Sequence, residues 1–549
     1  MPHAALNAAE ASSITGGFAM RWTRRDMLAS GAAASFLAGG GGAQAQTPKR
    51  GGTLRSIVNP EPPGLVLGLN QLLPTMLVAG KIYQGLLRYD FDLKPLPSLA
   101  KSWTISPDGK VYTFTLQSDV KWHDGQPFTS ADVVYSTSKY LPETHARWRA
   151  MFDRCASIKA LDASTVEFTL KEAFGAFISA FLASGCPMMP ADIYDGKGDV
   201  KTNPANNTPI GTGPFMLKEW RKGSFIHLVR NPNYWKPGQP YLDEIFYTVV
   251  PDGAQRVAAI ESGKVDMAQN NDIENFEVPR LKALKHLDFT TKGNEAVSPI
   301  SWLDINHRLP KFQDKRFRKA MMHAVDRKFI VDSLFFGLGR VAHGPIASTT
   351  KYRDEAALTK YDYNPARAIA LLDEMGLKPD ARGVRQKVSI LALPYGEVWT
   401  RQAEFIKQQF GKVGIEATIE TTDTPGFLQR NSNWEFELCF NFLSQFMDPA
   451  VGVARTYVSS NIRKGVISTN VEGYSNPAVD DLFAKAAVAP NPTDAQKYYS
   501  DVQRILSDDV PVLYLTELEF PTFIGKNFKN VVVDASGSLA EFDQAYKES

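Results

Sequence analysis

Residues 93–140 read LKPLPSLAKSWTISPDGKVYTFTLQSDVKWHDGQPFTSADVVYSTSKY, and the rest of the chain is read outward from them. Ser106-Pro107-Asp108-Gly109 has turn chemistry, with Pro at the second position and Gly at the fourth. From Val111 to Gln117, Tyr112, Phe114 and Leu116 alternate with Thr113, Thr115 and Gln117. That period of two predicts a half-buried strand. A second turn follows at His123-Asp124-Gly125. Thr129 and Asp132 stand at capping-box spacing, with Asp in place of the usual Glu or Gln. A helix carrying Val133 and Val134 is expected from there. The stretch is a hairpin that feeds a helix.

The same residues resemble the signature of the family 5 extracellular solute-binding proteins, the receptors of peptide, nickel and opine type ABC importers. The resemblance continues through residues 209–215 (PIGTGPF), 230–235 (RNPNYW), 242–245 (LDEI) and 259–266 (AIESGKVD). It includes a D-x-R-x-R-x-A helix at 314–320, and it covers roughly 50–545. It implies an α/β, two-lobed, type II periplasmic-binding-protein-like fold with an extra subdomain in lobe one. Lobe one is expected over 46–296 with a return over 516–549, and lobe two over 297–515. The two crossings would form a hinge. The signature itself implies scaffold rather than ligand site.

The residues support that division. Thr53–Val58 reads as a strand ending in the stiff loop Asn59-Pro60-Glu61-Pro62-Pro63-Gly64, and residues 77–87 have helical apolar spacing. Residues 165–170 read as a strand and 174–182 as a helix. Beyond a strand near 297–306, strands at 388–393, 415–420 and 436–442 alternate with helices from 312, 363 and 404. Alternation of this kind argues an α/β lobe. The basic run of the 314–320 helix reads as a solvated face.

The N-terminus reads as a targeting segment. Arg24-Arg25 precede a short run of moderate hydrophobicity, and Ala43-Gln44-Ala45 is a small-x-small cleavage site. Residues 1–45 are therefore expected to be an N-terminal extension and twin-arginine signal peptide. Met20 is an alternative start. The expected location is the periplasm.

Composition bounds the function. A formal net charge of +2 makes no electrostatic case for nucleic acid or an anionic membrane. Cys155, Cys186 and Cys439 allow at most one disulfide and otherwise read as small buried residues. No G-x-S-x-G, H-E-x-x-H, Walker loop or C-x-x-C motif occurs, and the eight histidines are scattered. His123-Asp124 falls in a scaffold turn. The chain reads as a binding protein rather than an enzyme, needing no cofactor and no metal. Its partners would be a small-molecule ligand and the membrane permease subunits of an ABC transporter, with the protein itself a monomer. A nickel or metal-chelate receptor is the alternative, followed by a periplasmic hydrolase.

A solute site between lobes calls for aromatics with a few placed polar groups. The candidates are Asn59 and Glu61 in the first stiff loop, Trp302 near the first crossing, and Tyr395 and Trp399 in a strand-to-helix loop. Asn441, Phe442, Gln445, Asp448 and Arg455 surround a later strand end. Glu397 and Arg401 are further charged candidates. Asp448-Pro449 reads first as a turn and helix cap. Arg455 has the fork to hold a carboxylate. In the resemblance, peptide receptors place an aspartate for the α-ammonium three residues before the D-P pair. Here that position is Gln445, which is neutral, so the expected solute has no free α-amine there: a modified peptide, an opine-like conjugate or a polar sugar-type compound.

Overall fold

The computed structural model describes residues 48–269 and 272–548. Residues 1–45, expected above to be a targeting segment, lie outside the described residues. The described residues build two mixed sheets, a four-stranded antiparallel sheet and two short two-stranded pairs.

The first sheet runs in the order Leu287–Thr290, Thr522–Gly525, Met267–Gln269, Thr53–Val58, Glu244–Val249, Phe225–Arg230, Phe215–Arg221. Thr53–Val58 pairs in parallel with Glu244–Val249 and Met267–Gln269. The second sheet runs Gly339–Val341, Val512–Leu518, Ile300–Ile305, Leu438–Leu443, Gln386–Leu391, Ile415–Glu420. The chain thus passes from the first sheet to the second across 291–299 and returns across 519–521.

Residues 93–140 fold largely as their pattern dictates. Val111–Leu116 is a central strand of the four-stranded antiparallel sheet, between Ala100–Ile105 and Thr165–Leu170, with Cys155–Asp162 beyond the latter. Its apolar face meets an aromatic core: Phe114 lies 4.8 Å from Phe181 and 5.8 Å from Phe168, and Tyr112 lies 5.0 Å from Phe177. Burying each such ring contributes roughly 2–3 kcal/mol. The helix Ser130–Tyr135 starts at Thr129, whose backbone N–H donates to the Asp132 carboxylate at 2.8 Å.

The turn histidine has structural work. His123 Nε2 lies 3.0 Å from the Gly213 carbonyl, and its Nδ1 accepts from the Gly211 N–H at 3.3 Å. Burial holds its pKa down at about 4. It thereby pins residues 211–213 against a buried segment. A Cβ on Gly211 would lie 1.9 Å from the Ile82 carbonyl oxygen, and one on Gly213 2.5 Å from that of Lys81. The glycines exist for this backbone-to-backbone approach.

Three expectations are corrected. The helix read over 77–87 spans only Leu73–Ala79. Ile82, Tyr83, Leu86 and Leu87 are buried because backbone encloses their segment, which imitates helical spacing. The helix read from 404 begins at Glu397, so Trp399 lies in its first turn and not in a loop. In the 314–320 helix Arg318 is 5% exposed. Its guanidinium donates to the carbonyls of Phe312, Gln313, Asp509 and Val510, at 2.6–3.0 Å. Arg316 on the same helix is exposed and paired with Asp314.

Cys186 and Cys439 are buried, Cys155 is half-buried, and none forms a disulfide.

Candidate functional site

In the second sheet Gln386–Leu391, Ile415–Glu420 and Leu438–Leu443 run parallel, so their carboxyl ends emerge on one edge. Ligands of open α/β sheets bind outside such ends. The corresponding edge of the first sheet carries the loops after Val58 and Val249.

The sequence candidates fall into four places. Asn59 and Glu61 follow the first sheet's central strand. Glu61 accepts from Trp220 Nε1 at 2.8 Å and from the Gly223 N–H at 3.0 Å, which fastens the adjacent hairpin. The Asn59 backbone faces Asp272, a carboxyl that burial pushes up to about 8.

Tyr395, Trp399 and Phe442 form one aromatic group. Trp399 stacks on Phe442 with centroids 5.5 Å apart and planes 9° from parallel. Tyr395 meets Phe442 edge-on at 6.3 Å and is 45% exposed, so it forms the open end of the group. Glu397 and Arg401 pair with each other one turn apart on the exposed side of that helix.

Trp302 and Asn441 lie on the other face of the same sheet. They are cross-strand neighbours, and Asn441 precedes Phe442 in one strand, so the two side chains point oppositely. Trp302 Nε1 donates to Asp304 at 2.5 Å and Asn441 Nδ2 at 2.9 Å, with Asn431 Nδ2 a third donor at 3.2 Å. Burial pushes the Asp304 carboxyl up to about 6. This is an interior polar group, separate from the aromatic one.

The fourth place is the loop after Leu443. Gln445 is buried: its N–H donates to the Val297 carbonyl at 2.7 Å, and its side-chain oxygen accepts from the Ala347 N–H at 3.3 Å. Phe446 and Met447 follow with φ of 49° and 67°. Two bulky residues in the left-handed region cost about 1–2 kcal/mol each, a strain found at sites that need a side chain held in place. Asp448 caps the helix Pro449–Gly452 by accepting from the Ala450 N–H at 2.9 Å. Arg455 donates to the carbonyls of Gly452 and Ser444, both at 3.1 Å.

This loop reaches the body built on the first sheet. Met447 is buried within that body's core cluster. The Phe446 ring carries Arg455 at 5.3 Å and Arg147 at 4.1 Å from its centroid. Arg147 comes from the helix Ala146–Phe152, adjoining the four-stranded sheet. It donates to Gln71 Oε1 at 2.7 Å and lies over the Trp148 ring at 4.7 Å. Arg147 and Phe446 went unread in the sequence. Their contact joins residues three hundred positions apart, and neither carries a motif.

Among the described residues no group of three or more His, Cys, Asp or Glu side chains is arranged to hold a metal, and no helix is long and apolar enough to cross a membrane.

Comparison with known proteins places this geometry. A sequence model of the bacterial extracellular solute-binding proteins, family 5 middle region, matches residues 94–464. The oligopeptide-binding protein AppA of Bacillus subtilis is 28% identical over 459 residues, covering 80% of this chain and 81% of AppA. The nickel-binding periplasmic protein of Escherichia coli is 25% identical over 471 residues, covering 80% and 85%. The solved structure of the ABC transporter substrate-binding protein CtaP from Listeria monocytogenes superposes with a TM-score of 0.80 at 23% identity, covering 91% of this chain and all of that one.

Proposed function

Because the chain belongs to the bacterial extracellular solute-binding proteins of family 5, we propose that it is the substrate-binding subunit of an ABC importer. It captures a small organic solute and presents it to membrane permease subunits. The solute lies between lobe one, residues 46–296 with 516–549, and lobe two, residues 297–515. The two crossings act as the hinge, and closure on the solute shifts the population that the permease meets. The chain carries no catalytic role in this reading. Export follows the twin-arginine signal of residues 1–45.

The solute is a modified peptide, an opine-like conjugate or a polar sugar-type compound whose recognition does not depend on a free α-amine. One observation carries this: the 444–449 loop offers no carboxylate for an ammonium. Gln445 is neutral and bonded to Ala347, and Asp448 is committed to its helix cap. Glu61, the first alternative carboxylate, is bonded to Trp220 and Gly223, and Glu397 pairs with Arg401. A buried ammonium left without its partner weakens binding by roughly 2–5 kcal/mol.

Calorimetry against unmodified di- to pentapeptides, their N-acetylated forms, neutral polar solutes and nickel salts tests this. The reading expects N-acetylation to leave affinity unchanged. Submicromolar binding of an ordinary peptide, abolished by N-acetylation, contradicts it.

A further inference from the structure

Away from the two crossings, the body built on the second sheet grips the body built on the first through the loop after Leu443. Met447 is 8% exposed and belongs to the core cluster of the first body, and Ala450, Val451 and Ala487 pack against that same cluster. The Phe446 ring closes on Arg147, whose guanidinium lies 4.1 Å from its centroid and 4.7 Å from that of Trp148. Arg147 is thus clasped between an aromatic ring of its own body and one from the other. Its hydrogen bond to Gln71 Oε1, at 2.7 Å, fixes where it meets the incoming ring. A looser contact sets Arg401 of the second body 5.9 Å from the Phe276 ring of the first, which is 47% exposed.

The gripping loop is set by its own body. Gln445 is tied to the Val297 carbonyl and to the Ala347 N–H. Asp448 caps the next helix, and its N–H donates to the Phe446 carbonyl at 2.8 Å. Phe446 and Met447 between them hold left-handed backbone. A prong fixed in this way loses little freedom on docking. Beside it the two bodies leave a pocket of about 130 Å³, lined by Gly175 and Ala176 from the first and by Tyr352 and Asp448 from the second. Continuous protein interiors carry few voids larger than a water molecule. The contact is therefore a seam that can part, not one unbroken core.

We propose that Phe446 and Met447 form a latch that holds the two bodies together before the solute arrives. The proposal rests on the hinge reading above and adds a resting state to it. The latch contacts are protein on protein, so they favour the closed arrangement with or without solute, and solute adds its own contacts to the same arrangement. Burial of the Met447 side chain and a guanidinium stacked away from water supply the grip. Solute enters only while the latch is released, so the open fraction scales its apparent affinity and slows its association.

Methionine oxidation reads the latch without any solute. The mature protein, washed free of co-purified small molecules, is treated with dilute hydrogen peroxide, and sulfoxide at each methionine is followed by peptide mass spectrometry. Met321, fully buried inside the second body, is the internal reference for folding. In the wild type Met447 oxidises on the slow scale of Met321. In Phe446→Ala, and in Arg147→Gln on the other body, Met447 oxidises about tenfold faster or more. Met321 stays slow in both, and small-angle scattering shows a larger radius of gyration. If Phe446→Ala also exposes Met321, that variant is unfolding and Arg147→Gln decides. Rapid oxidation of Met447 in the wild type overturns the proposal, as does a Met447 that stays protected in the deciding variants. Faster oxidation at an unchanged radius means that the loop frays locally, and overturns it too. None of these outcomes depends on a bound solute, so the receptor reading stands or falls separately, on the calorimetry above.

Discussion

A methyl group on Gly452 would lie 1.9 Å from the carbonyl oxygen of Gln445 and 2.1 Å from its carbonyl carbon. The short helix Pro449–Gly452 is thus clamped onto the loop that carries Phe446. Replacing Gly452 by Ala forces that loop aside, at a cost of about 1–3 kcal/mol. Gly411, at the end of the helix Glu397–Gly411, has nothing within 4 Å of its would-be Cβ. Gly411→Ala is expected to be neutral or stabilising by about 0.5–1 kcal/mol. Denaturant unfolding of both variants reads the opposite signs directly.

The two arginines of one helix should behave in opposite ways. Arg318→Met strips a buried donor from four carbonyls and is expected to destabilise by about 3–5 kcal/mol. Arg316→Ala removes an exposed pair with Asp314 and should leave the unfolding midpoint where it was. Equal effects from the two substitutions would show that the buried fan of bonds is not what holds this helix to residues 509–510.

Asp448 makes stability depend on pH in an unusual direction. Burial raises its folded pKa to about 6, above the ordinary aspartate value of about 3.9. The folded state therefore holds the proton more tightly than the unfolded one. That contribution is full below about pH 4 and is lost as pH rises through about 6. Asn caps a helix as well as Asp does. Asp448→Asn should therefore gain about 1–3 kcal/mol on wild type at pH 7 and nothing at pH 4. Parallel stability curves over that interval would contradict the assignment.

Export has its own check. Replacing Arg24 and Arg25 by Lys is expected to leave uncleaved precursor in the cytoplasm, seen by fractionation and immunoblotting. Normal periplasmic accumulation of the double variant would rule the twin-arginine route out.

Local chemistry was legible where a short window contains its own partners. Thr129 and Asp132 are three residues apart and form their box, and the strand Ile415–Glu420 carries its pattern within six residues. Reading failed where the partner is distant in the chain. Arg318 sits in a run that looks solvated, yet the carbonyls of Asp509 and Val510 bury it. Ile82 to Leu87 have helical spacing, but backbone from 181–183 and 211–213 encloses them. The site suffered most. Trp302 and Phe442 belong to paired strands, yet only the register puts them on opposite faces. Arg147 becomes a candidate only once Phe446 is placed on it.

Native mass spectrometry of the protein purified from periplasm tests the central claim most directly. The account predicts one small organic molecule held per chain, released on denaturation, whose binding does not depend on a free α-amine. Release of an unmodified peptide whose binding is lost on N-acetylation would contradict it.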